Sequence, residues 1–404
     1  MIHQPIQPQR WKDAVLESGD ELQKFWKHHL AERERSLLFI LAKGFDPRMC
    51  IGIEMLLGLT DSTRLNVDLI EFDEGPTSPS RDYIELAKQN MTILECLMQN
   101  RGEIRIHSLK MRSEDGRRIT SQGAFQLYRR IEDIGDYSDI ILDISAAPRG
   151  VYMPLATKIL HLVDRANSLG HNPPINFHIM VAENSALDAK IHDEGVEERA
   201  DYVPPFRGAM DREATAGEPR IWIPILGENQ RVQLERIHDL VLPDEICPVL
   251  PSPARNPRRA DNLIRDYHGL LFDSWAIEPR NFIYGCELNP FEVYQQITRA
   301  ICAYRESFIP LGGSKFVLSA LSSKLLSISA LLVAYDFKIQ RTDIGIAHVD
   351  CHGYHVEPGP SPKPELSGLW LTGEWENDAS SNSESLSRLE TPKSIARHDL
   401  LSTT

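Results

Sequence analysis

Asp143, Ser145 and Arg149 have types and a spacing that suit the binding of a phosphate group. They follow the apolar run Asp139-Ile-Ile-Leu142 and precede a stretch rich in aliphatic residues, which predicts a strand that runs out into a loop. Ligands of open α/β sheets bind outside the carboxyl ends of the strands. A hydroxyl can donate to a phosphate oxygen and an Arg can form a bidentate pair with it. The alternative is structural: Ser145 caps a turn, and Asp143 pairs with Arg149.

Further candidates follow two earlier predicted strands. Gly44, Asp46 and Arg48 come after the first strand, and Asp73 comes after the second. If the sheet is parallel, all four residues lie on the same rim as Asp143, where they would join the ligand site. The alternative for the first three is a Gly-Phe-Asp-Pro turn that leads into a helix.

The second half of the chain contains the segment Pro310-Leu-Gly-Gly-Ser-Lys315. Its two glycines permit positive φ, and Ser314 and Lys315 are candidates for contact with an anion. The spacing is not that of a Walker A loop, and the glycines precede a predicted strand, so a plain turn is the alternative. In Glu287-Leu-Asn289-Pro290, we expect Asn289 to cap a helix.

The histidine-rich segment near residue 350 does not predict a metal site. Its possible ligands fall at a predicted strand end and turn, where their spacing does not bring the rings together; they are His348, Asp350, Cys351, His352 and His355. The motifs of serine hydrolases, kinases and dinucleotide dehydrogenases are missing from the sequence. The sequence therefore assigns no metal and no cofactor.

Strands that alternate with helices must position these residues. Apolar runs predict strands at 36–42, 66–72, 103–107, 139–143 and 176–182, and again at 221–226, 246–250, 281–286, 314–318 and 343–349. Apolar residues at helical spacing predict helices between the strands, among them 154–166 and 321–336. This alternation favours parallel βαβ units with right-handed crossovers.

The chain of 404 residues is too long for one typical domain. The predicted fold class is α/β, with two Rossmann-like lobes whose sheets are mainly parallel. We expect a helical arm over residues 1–35, a first lobe over 36–200, a linker over 201–220, a second lobe over 221–356 and a disordered, low-complexity tail over 357–404. Two such lobes are compatible with an old duplication, although the sequence shows no short repeat.

Charge and composition exclude several classes of protein. The net charge of −14 disfavours non-specific binding to nucleic acid. The sequence lacks an apolar run near the roughly 20 residues that span a bilayer, and its N-terminus lacks the pattern of a signal peptide. The six cysteines show no Cys-x-x-Cys spacing, which argues against a zinc ribbon and a disulfide framework. We therefore expect a cytoplasmic protein without a membrane partner.

The pattern of Asp143, Ser145 and Arg149 resembles the fourth-strand signature of CARF domains, which are Rossmann-like sensors of cyclic oligoadenylates in prokaryotic immunity. The resemblance covers residues 36–200. It implies a nucleotide or cyclic oligonucleotide held over the carboxyl edge of the sheet, and a homodimer with this ligand across its twofold axis. The chain departs from the Gly-rich form of the motif, because Ala146-Ala147-Pro148 leave fewer backbone amides to hold a phosphate.

Three functions remain open on the sequence. The leading expectation is a sensor of a nucleotide-type ligand, or a regulatory component, of an anti-phage defence system with an effector protein as partner. The first alternative is an enzyme acting on a nucleotide or phosphorylated small molecule between the lobes, with Asp143 as acid–base group and Arg149 as phosphate clamp. The second alternative is a non-catalytic assembly component.

Overall fold

Two sheets of mostly parallel strands form two lobes, which confirms the predicted α/β class and the two Rossmann-like lobes. A computed structural model describes residues 10–11, 14–60, 63–73, 78–184, 190–208, 210, 217–340, 342, 344–357 and 363–376. Within these residues, the helices are too short or too polar to cross a bilayer.

The first lobe is built from the N-terminal half of the chain. Its elements are β1 (Val15–Ser18), α1 (Gly19–Glu32), β2 (Ser36–Ala42), α2 (Ile51–Leu57), β3 (Arg64–Asp73), α3 (Ile84–Met98), β4 (Ile104–Lys110), α4 (Thr120–Gln126), α5 (Ile131–Ile134), β5 (Asp139–Asp143), α6 (Arg149–Ser168) and β6 (Asn176–Glu183). Strands β2 and β5 are buried along nearly their whole length. Helices cover both faces of such a sheet, and this is why the two strands read as continuous apolar runs.

The second lobe follows. The remaining elements are β7 (Ile191–Val196), β8 (Asp201–Arg207), β9 (Arg220–Ile225), α7 (Arg231–Val241), β10 (Glu245–Ile246), β11 (Val249–Pro251), α8 (Arg259–Asp266), β12 (Ile283–Gly285), α9 (Pro290–Phe308), β13 (Lys315–Ala320), α10 (Lys324–Ile339), β14 (Gly345–His348), β15 (Cys351–Val356) and β16 (Glu365–Thr372). Helix α9 begins as predicted, because the Asn289 side chain accepts hydrogen bonds from the Phe291 and Glu292 amides.

The two lobes share one strand order. The parallel strands of the first sheet lie in the order β4-β3-β2-β5-β6, and those of the second lie in the order β12-β11-β9-β13-β14. Numbered by their place in the chain, both sheets have the Rossmann order 3-2-1-4-5. The order reverses between the first and fourth strands, which are β2 and β5 in one lobe and β9 and β13 in the other. The matching topology supports the old duplication that the sequence left open.

The lobes exchange edge strands. The chain leaves β6 through β7 and enters β8, which pairs antiparallel with β14 of the second lobe. In the same way it leaves β14 through β15 and enters β16, which pairs antiparallel with β6 of the first lobe. The two connecting strands β7 and β15 pair with each other. Each half of the chain therefore completes the sheet of the other half.

One of three apolar clusters among the described residues runs through both lobes along α6 and α10. The Tyr335 hydroxyl of α10 donates to Asp164 of α6 at 2.7 Å. Trp11 packs edge-on against Tyr294 of α9, and its indole nitrogen donates to the Leu371 carbonyl of β16. Residues near both ends of the described chain thus fasten the lobes together.

Three predicted segments differ from the structure. Within the arm predicted as helical, Val15–Ser18 form β1, which pairs with β16. Part of the predicted linker forms β8. Residues Glu365–Thr372 of the predicted disordered tail form β16, because the Leu369-Trp370-Leu371 run is buried between β1 and β6. The tail beyond residue 376 lies outside the described residues.

Candidate ligand-binding cleft

The carboxyl ends of both sheets face a common cleft. Its volume is about 1030 Å³, and it is lined by the loops that follow the first and fourth strands of each lobe: Lys43–Arg48, Ala146–Gly150, Gly227–Gln230 and Leu321–Lys324. These four loops lie where the strand order reverses, which is the usual ligand position in an open α/β sheet. The cleft therefore joins two such positions, one from each lobe.

In each lobe the loop after the first strand contains a glycine that packs against the loop after the fourth strand. A Cβ atom added to Gly44 would lie 3.6 Å from the Ala146 carbonyl oxygen, an ordinary contact. A Cβ atom added to Gly227 would come closer than 3.0 Å to the Leu321 backbone, so this position has no room for a side chain. The two loops correspond in the fold, and the second lobe is packed more tightly at this point.

Arg149 and Lys324 project from equivalent places on the two sides of the cleft. Each is the first residue of the helix that follows the fourth strand. Arg149 Nη2 donates to the Ser322 carbonyl at 3.0 Å, and Lys324 Nζ donates to the Ser145 carbonyl. Arg149 Nε is buried and has no hydrogen-bond partner among the described residues. Because the acceptor of Arg149 is a neutral carbonyl, its positive charge remains available to an anion.

The amino ends of the same two helices already contact carboxylates. Glu183, at the end of β6, accepts from the Leu325 amide of α10 at 2.7 Å. Asp350, after β14, lies beside Gly150 of α6, where it accepts from His348 at 3.0 Å and pairs with Arg118 at 3.6 Å. Burial alone would raise the pKa of Asp350, but His348 and Arg118 hold it below its usual range. Side-chain cations, more than helix ends, therefore supply the positive charge that lines the cleft.

The cleft is more basic than the chain as a whole. Nine Lys or Arg side chains and seven Asp or Glu side chains line it within the described residues, which gives a net charge of +2 with neutral histidines. The whole chain carries −14. An anion that approaches this protein is therefore repelled by the bulk surface and attracted locally by the cleft.

Asp46 and Arg48 line the cleft as predicted, but they pair with each other. Arg48 Nη2 lies 2.7 Å from Asp46 Oδ2, and Arg48 Nη1 donates to the Ala182 carbonyl at 3.2 Å. Burial would raise the pKa of Asp46, whereas the hydrogen bond and charge of Arg48 lower it below the usual value. The pair fixes the loop that contains Gly44. The positions of these residues are therefore compatible both with ligand binding and with a purely structural turn.

Asp143 and Ser145 lie beneath the cleft surface, with exposures of 1% and 0%. The Ser145 hydroxyl accepts from the Ala182 amide at 2.8 Å, and Asp143 Oδ1 accepts from the Ser145 amide at 2.8 Å. The Asp143–Arg149 pair expected as the alternative does not form, because Arg149 donates to the Ser322 carbonyl instead. These two residues hold the loop in shape and do not present groups to a ligand in the cleft.

The second carboxylate oxygen of Asp143 has no hydrogen-bond partner in the described part of the chain. It points toward Gly52 of α2, in the interior of the first lobe. Burial raises the pKa of Asp143 to about 6, which the hydrogen bonds from Ser145 offset only in part. The acid–base role predicted for Asp143 would require contact with a substrate, and its burial beneath the loop argues against that role.

The remaining predicted site residues lie elsewhere or are only partly described. Ser314 and Lys315 stand at the amino end of β13, at the opposite end of the sheet from the cleft. Lys315 is placed by the strand pairing, since its amide donates to the Pro219 carbonyl, and Ser314 immediately precedes it. Asp73 is the last residue of β3, and its side chain lies outside the described residues.

Sequence reasoning missed Lys324 and Arg118, and it considered Asp350 only as part of a metal site that it rejected. A signal for Lys324 was present, because Ser319-Ala-Leu-Ser-Ser-Lys324 follows the apolar start of its strand much as Ser145-Ala-Ala-Pro-Arg149 follows β5. Arg118 and Asp350 carry no such local signal. They come from a loop before α4 and from the connection after β14, and the fold alone brings them together.

A separate group of possible metal ligands lies at the amino end of β5. Asp139 accepts from His29 Nε2 at 2.7 Å, His178 Nε2 at 3.1 Å, Arg35 at 3.3 Å and Ser138 at 2.7 Å. Burial would raise the pKa of Asp139, but the two histidines hold it well below its usual value. Four donors already satisfy this carboxylate, so we assign the group to fastening α1 onto the sheet.

Comparisons with known proteins identify no family for this chain. No protein-family model matches it, and no curated protein matches it significantly. A solved structure of a functionally unknown protein, PA1789 from Pseudomonas aeruginosa PAO1, aligns over 81% of this chain and 94% of its own at 9% identity, with a TM-score of 0.20. Phosphoethanolamine N-methyltransferase 1 of Haemonchus contortus aligns over 87% of this chain and 91% of its own at 6% identity, also with a TM-score of 0.20. At these values neither likeness bears on function.

Proposed function

We propose that the cleft binds a nucleotide-type anion and that the chain acts as a sensor or regulatory component controlled by this ligand. The observation that carries the proposal is the placement of Arg149 and Lys324, one from each lobe, at the two points where the strand order reverses. An anion bound between them would contact both lobes at once, so its binding could shift the equilibrium between arrangements of the two lobes.

The size and charge of the cleft support this class of ligand. A volume of about 1030 Å³ is at the upper end of the range of roughly 300–1,000 Å³ seen for small-molecule sites. The net positive lining favours phosphates over neutral metabolites. A dinucleotide or a small cyclic oligonucleotide fits these two properties better than a single phosphate ion does.

One chain supplies both halves of the proposed site. The CARF resemblance led us to expect a homodimer with the ligand on its twofold axis, whereas the cleft of this chain is lined by loops from both of its own lobes. Of the three residues that carry the resemblance, Arg149 lines the cleft, whereas Asp143 and Ser145 lie beneath it. The proposal therefore depends on the cleft and does not require a second copy of the chain.

Thermal unfolding with added ligands tests the proposal. The panel contains AMP, ADP, linear and cyclic dinucleotides and cyclic oligoadenylates. A ligand that binds only the folded chain stabilises it by roughly 2.7 kcal/mol at a hundredfold excess over Kd. We expect a shift that weakens in high salt, is reduced by Arg149→Gln, and is retained in the control Arg117→Gln, whose exposed side chain pairs with Asp115 away from the cleft.

Chromatography of the ligand after incubation separates sensing from turnover. Intact ligand supports the sensor, and a converted ligand would indicate the enzyme instead. If no member of the panel shifts the unfolding midpoint, or if Arg149→Gln and Arg117→Gln give equal shifts, the proposed site is wrong.

A further inference from the structure

The two halves of the cleft differ at one pair of corresponding positions. The residue after the glycine of the first loop is Phe45 in the first lobe and Glu228 in the second. Both side chains line the cleft. The two lobes share one strand order, whereas the residues at this pair of positions differ in their chemistry.

Phe45 belongs to a small group of aromatic rings. Its ring centroid lies 4.8 Å from that of Tyr83, at an interplanar angle of 36°, and 6.4 Å from that of Tyr354 on β15. All three rings line the cleft and are partly exposed. Aromatic faces of this kind stack on nucleobases, because every base has a π-face.

Polar groups that suit the edge of a base lie beside these rings. The Ser80 hydroxyl lines the same part of the cleft, is buried and has no hydrogen-bond partner within the described residues. Lys43 pairs with Glu71 nearby, and both line the cleft. The first lobe thus offers a stacking surface together with donors and acceptors.

The corresponding part of the second lobe is charged. Arg259 forms two hydrogen bonds of 2.7 Å with the Glu228 carboxylate, and it also pairs with Glu287. Burial would raise the pKa of Glu228, but Arg259 holds it below its usual value. Among the described residues, the loop Gly227–Gln230 brings no aromatic ring to the cleft. This half suits hydroxyl groups and not a stacked base.

We infer that the cleft orients its ligand by stacking an aromatic base on Phe45 and Tyr83 of the first lobe, with the sugar and phosphate directed toward Arg149 and Lys324. The inference rests on the proposed function and adds to it the recognition of a base on one side only. A ligand with one base and one anionic group therefore satisfies the cleft as well as a symmetric ligand does.

Calorimetric binding of two probes, AMP and ribose 5-phosphate, tests the inference, because they share the sugar and phosphate and differ in the base. We expect the wild-type chain to bind AMP about 5- to 100-fold more tightly, as stacking of one base allows. Phe45→Leu keeps an apolar side chain but removes one of the two rings, so it should lower this ratio severalfold. Phe45→Tyr keeps the ring and should preserve the ratio, as should the control Val232→Ala in the second half of the cleft.

The outcomes separate this inference from the proposed function. Equal binding of the two probes by the wild-type chain, or an AMP preference that Phe45→Leu leaves undiminished, overturns base stacking on Phe45 and leaves the anion site in place. Failure of both probes to bind at millimolar concentration overturns the inference, and it contradicts the anion site as well only if the whole nucleotide panel also leaves the unfolding midpoint unchanged.

Discussion

Arg149 and Lys324 occupy equivalent positions in the two lobes, and each donates a hydrogen bond to the loop that carries the other. The acceptors are the carbonyl oxygens of Ser322 and Ser145, which lie in the loops that lead into α10 and α6. The two cations therefore link the lobes across the cleft. An anion that draws either side chain toward itself must alter the contact between the lobes.

This reciprocity predicts that the two cations act together on a bound anion. With the tightest ligand of the nucleotide panel, Arg149→Gln and Lys324→Met should each weaken binding by about 1.5–3 kcal/mol, the usual worth of a hydrogen bond to a charged group. In a double-mutant cycle measured by calorimetry, their effects should differ from additivity by more than about 0.5 kcal/mol. Strict additivity would show that the two side chains bind independent groups. Lys24→Met, on the exposed face of α1, serves as the control.

The two glycines of the first loops should respond differently to the same substitution. Gly227→Ala places a Cβ atom against the Leu321 backbone and should reduce the free energy of unfolding by about 1–3 kcal/mol, as overpacking does. Gly44→Ala meets ordinary contacts in the equivalent loop and should change it by less than about 1 kcal/mol. Urea unfolding of both variants measures the difference. Equal effects would mean that the loops are not packed as described.

Asp143 predicts a pH-dependent difference between the wild-type chain and Asp143→Asn. Because burial raises the pKa of Asp143 to about 6, its contribution to stability is fully present below the unfolded pKa near 4 and is lost as pH rises through 6. The asparagine variant lacks this titration. Its stability relative to the wild type should therefore rise by up to about 3 kcal/mol between pH 4 and pH 7. Urea unfolding at several pH values checks this, and a constant difference would contradict the raised pKa.

The difference between variants is the informative quantity, because another buried group titrates in the same range with the opposite sign. Burial lowers the pKa of His178 to about 4, despite the opposing effect of Asp139. Its contribution to stability is present above the unfolded value near 6.5 and is lost as pH falls toward 4. The wild-type profile alone would thus partly hide the effect of Asp143.

Strand β16 should be essential to the first lobe. Leu369 is 1% exposed, between β1 and β6, and Leu369→Ala should reduce the free energy of unfolding by about 2–5 kcal/mol. The control Leu311→Ala changes a side chain that is 63% exposed and should cost less than about 0.5 kcal/mol. Guanidinium unfolding compares the two. Similar small effects would support the disordered tail that the composition predicted.

Much of the fold could be predicted from local patterns. The predicted bounds of β2 and β5 agree with the structure, because strands buried on both faces give unbroken apolar runs. The edges of the sheets were harder. Strand β8 lies within a segment rich in proline, glycine and charge, and β16 follows another. Their pairing with β14 and β6 depends on partners far away in the chain. Local composition carries no information on such partners.

The site was predicted in part for a similar reason. Arg149 was identified because it follows an obvious strand, whereas Lys324 was placed inside a helix predicted to begin at residue 321. The structure shows that the two residues are equivalent, because each is the first residue of its helix. Ser145 had the right type and spacing for a ligand, but its hydroxyl is engaged by the Ala182 amide of the neighbouring strand. Spacing along one strand cannot reveal a contact made across the sheet.

The exchange of β8 and β16 also sets an order of events during synthesis. A ribosome releases the first lobe without the strand that borders β6, and this edge stays open until Thr372 has emerged. An open edge invites pairing with other chains. The nascent protein therefore passes through a stage that is prone to aggregation, which ends only when nearly all of the described chain has been made.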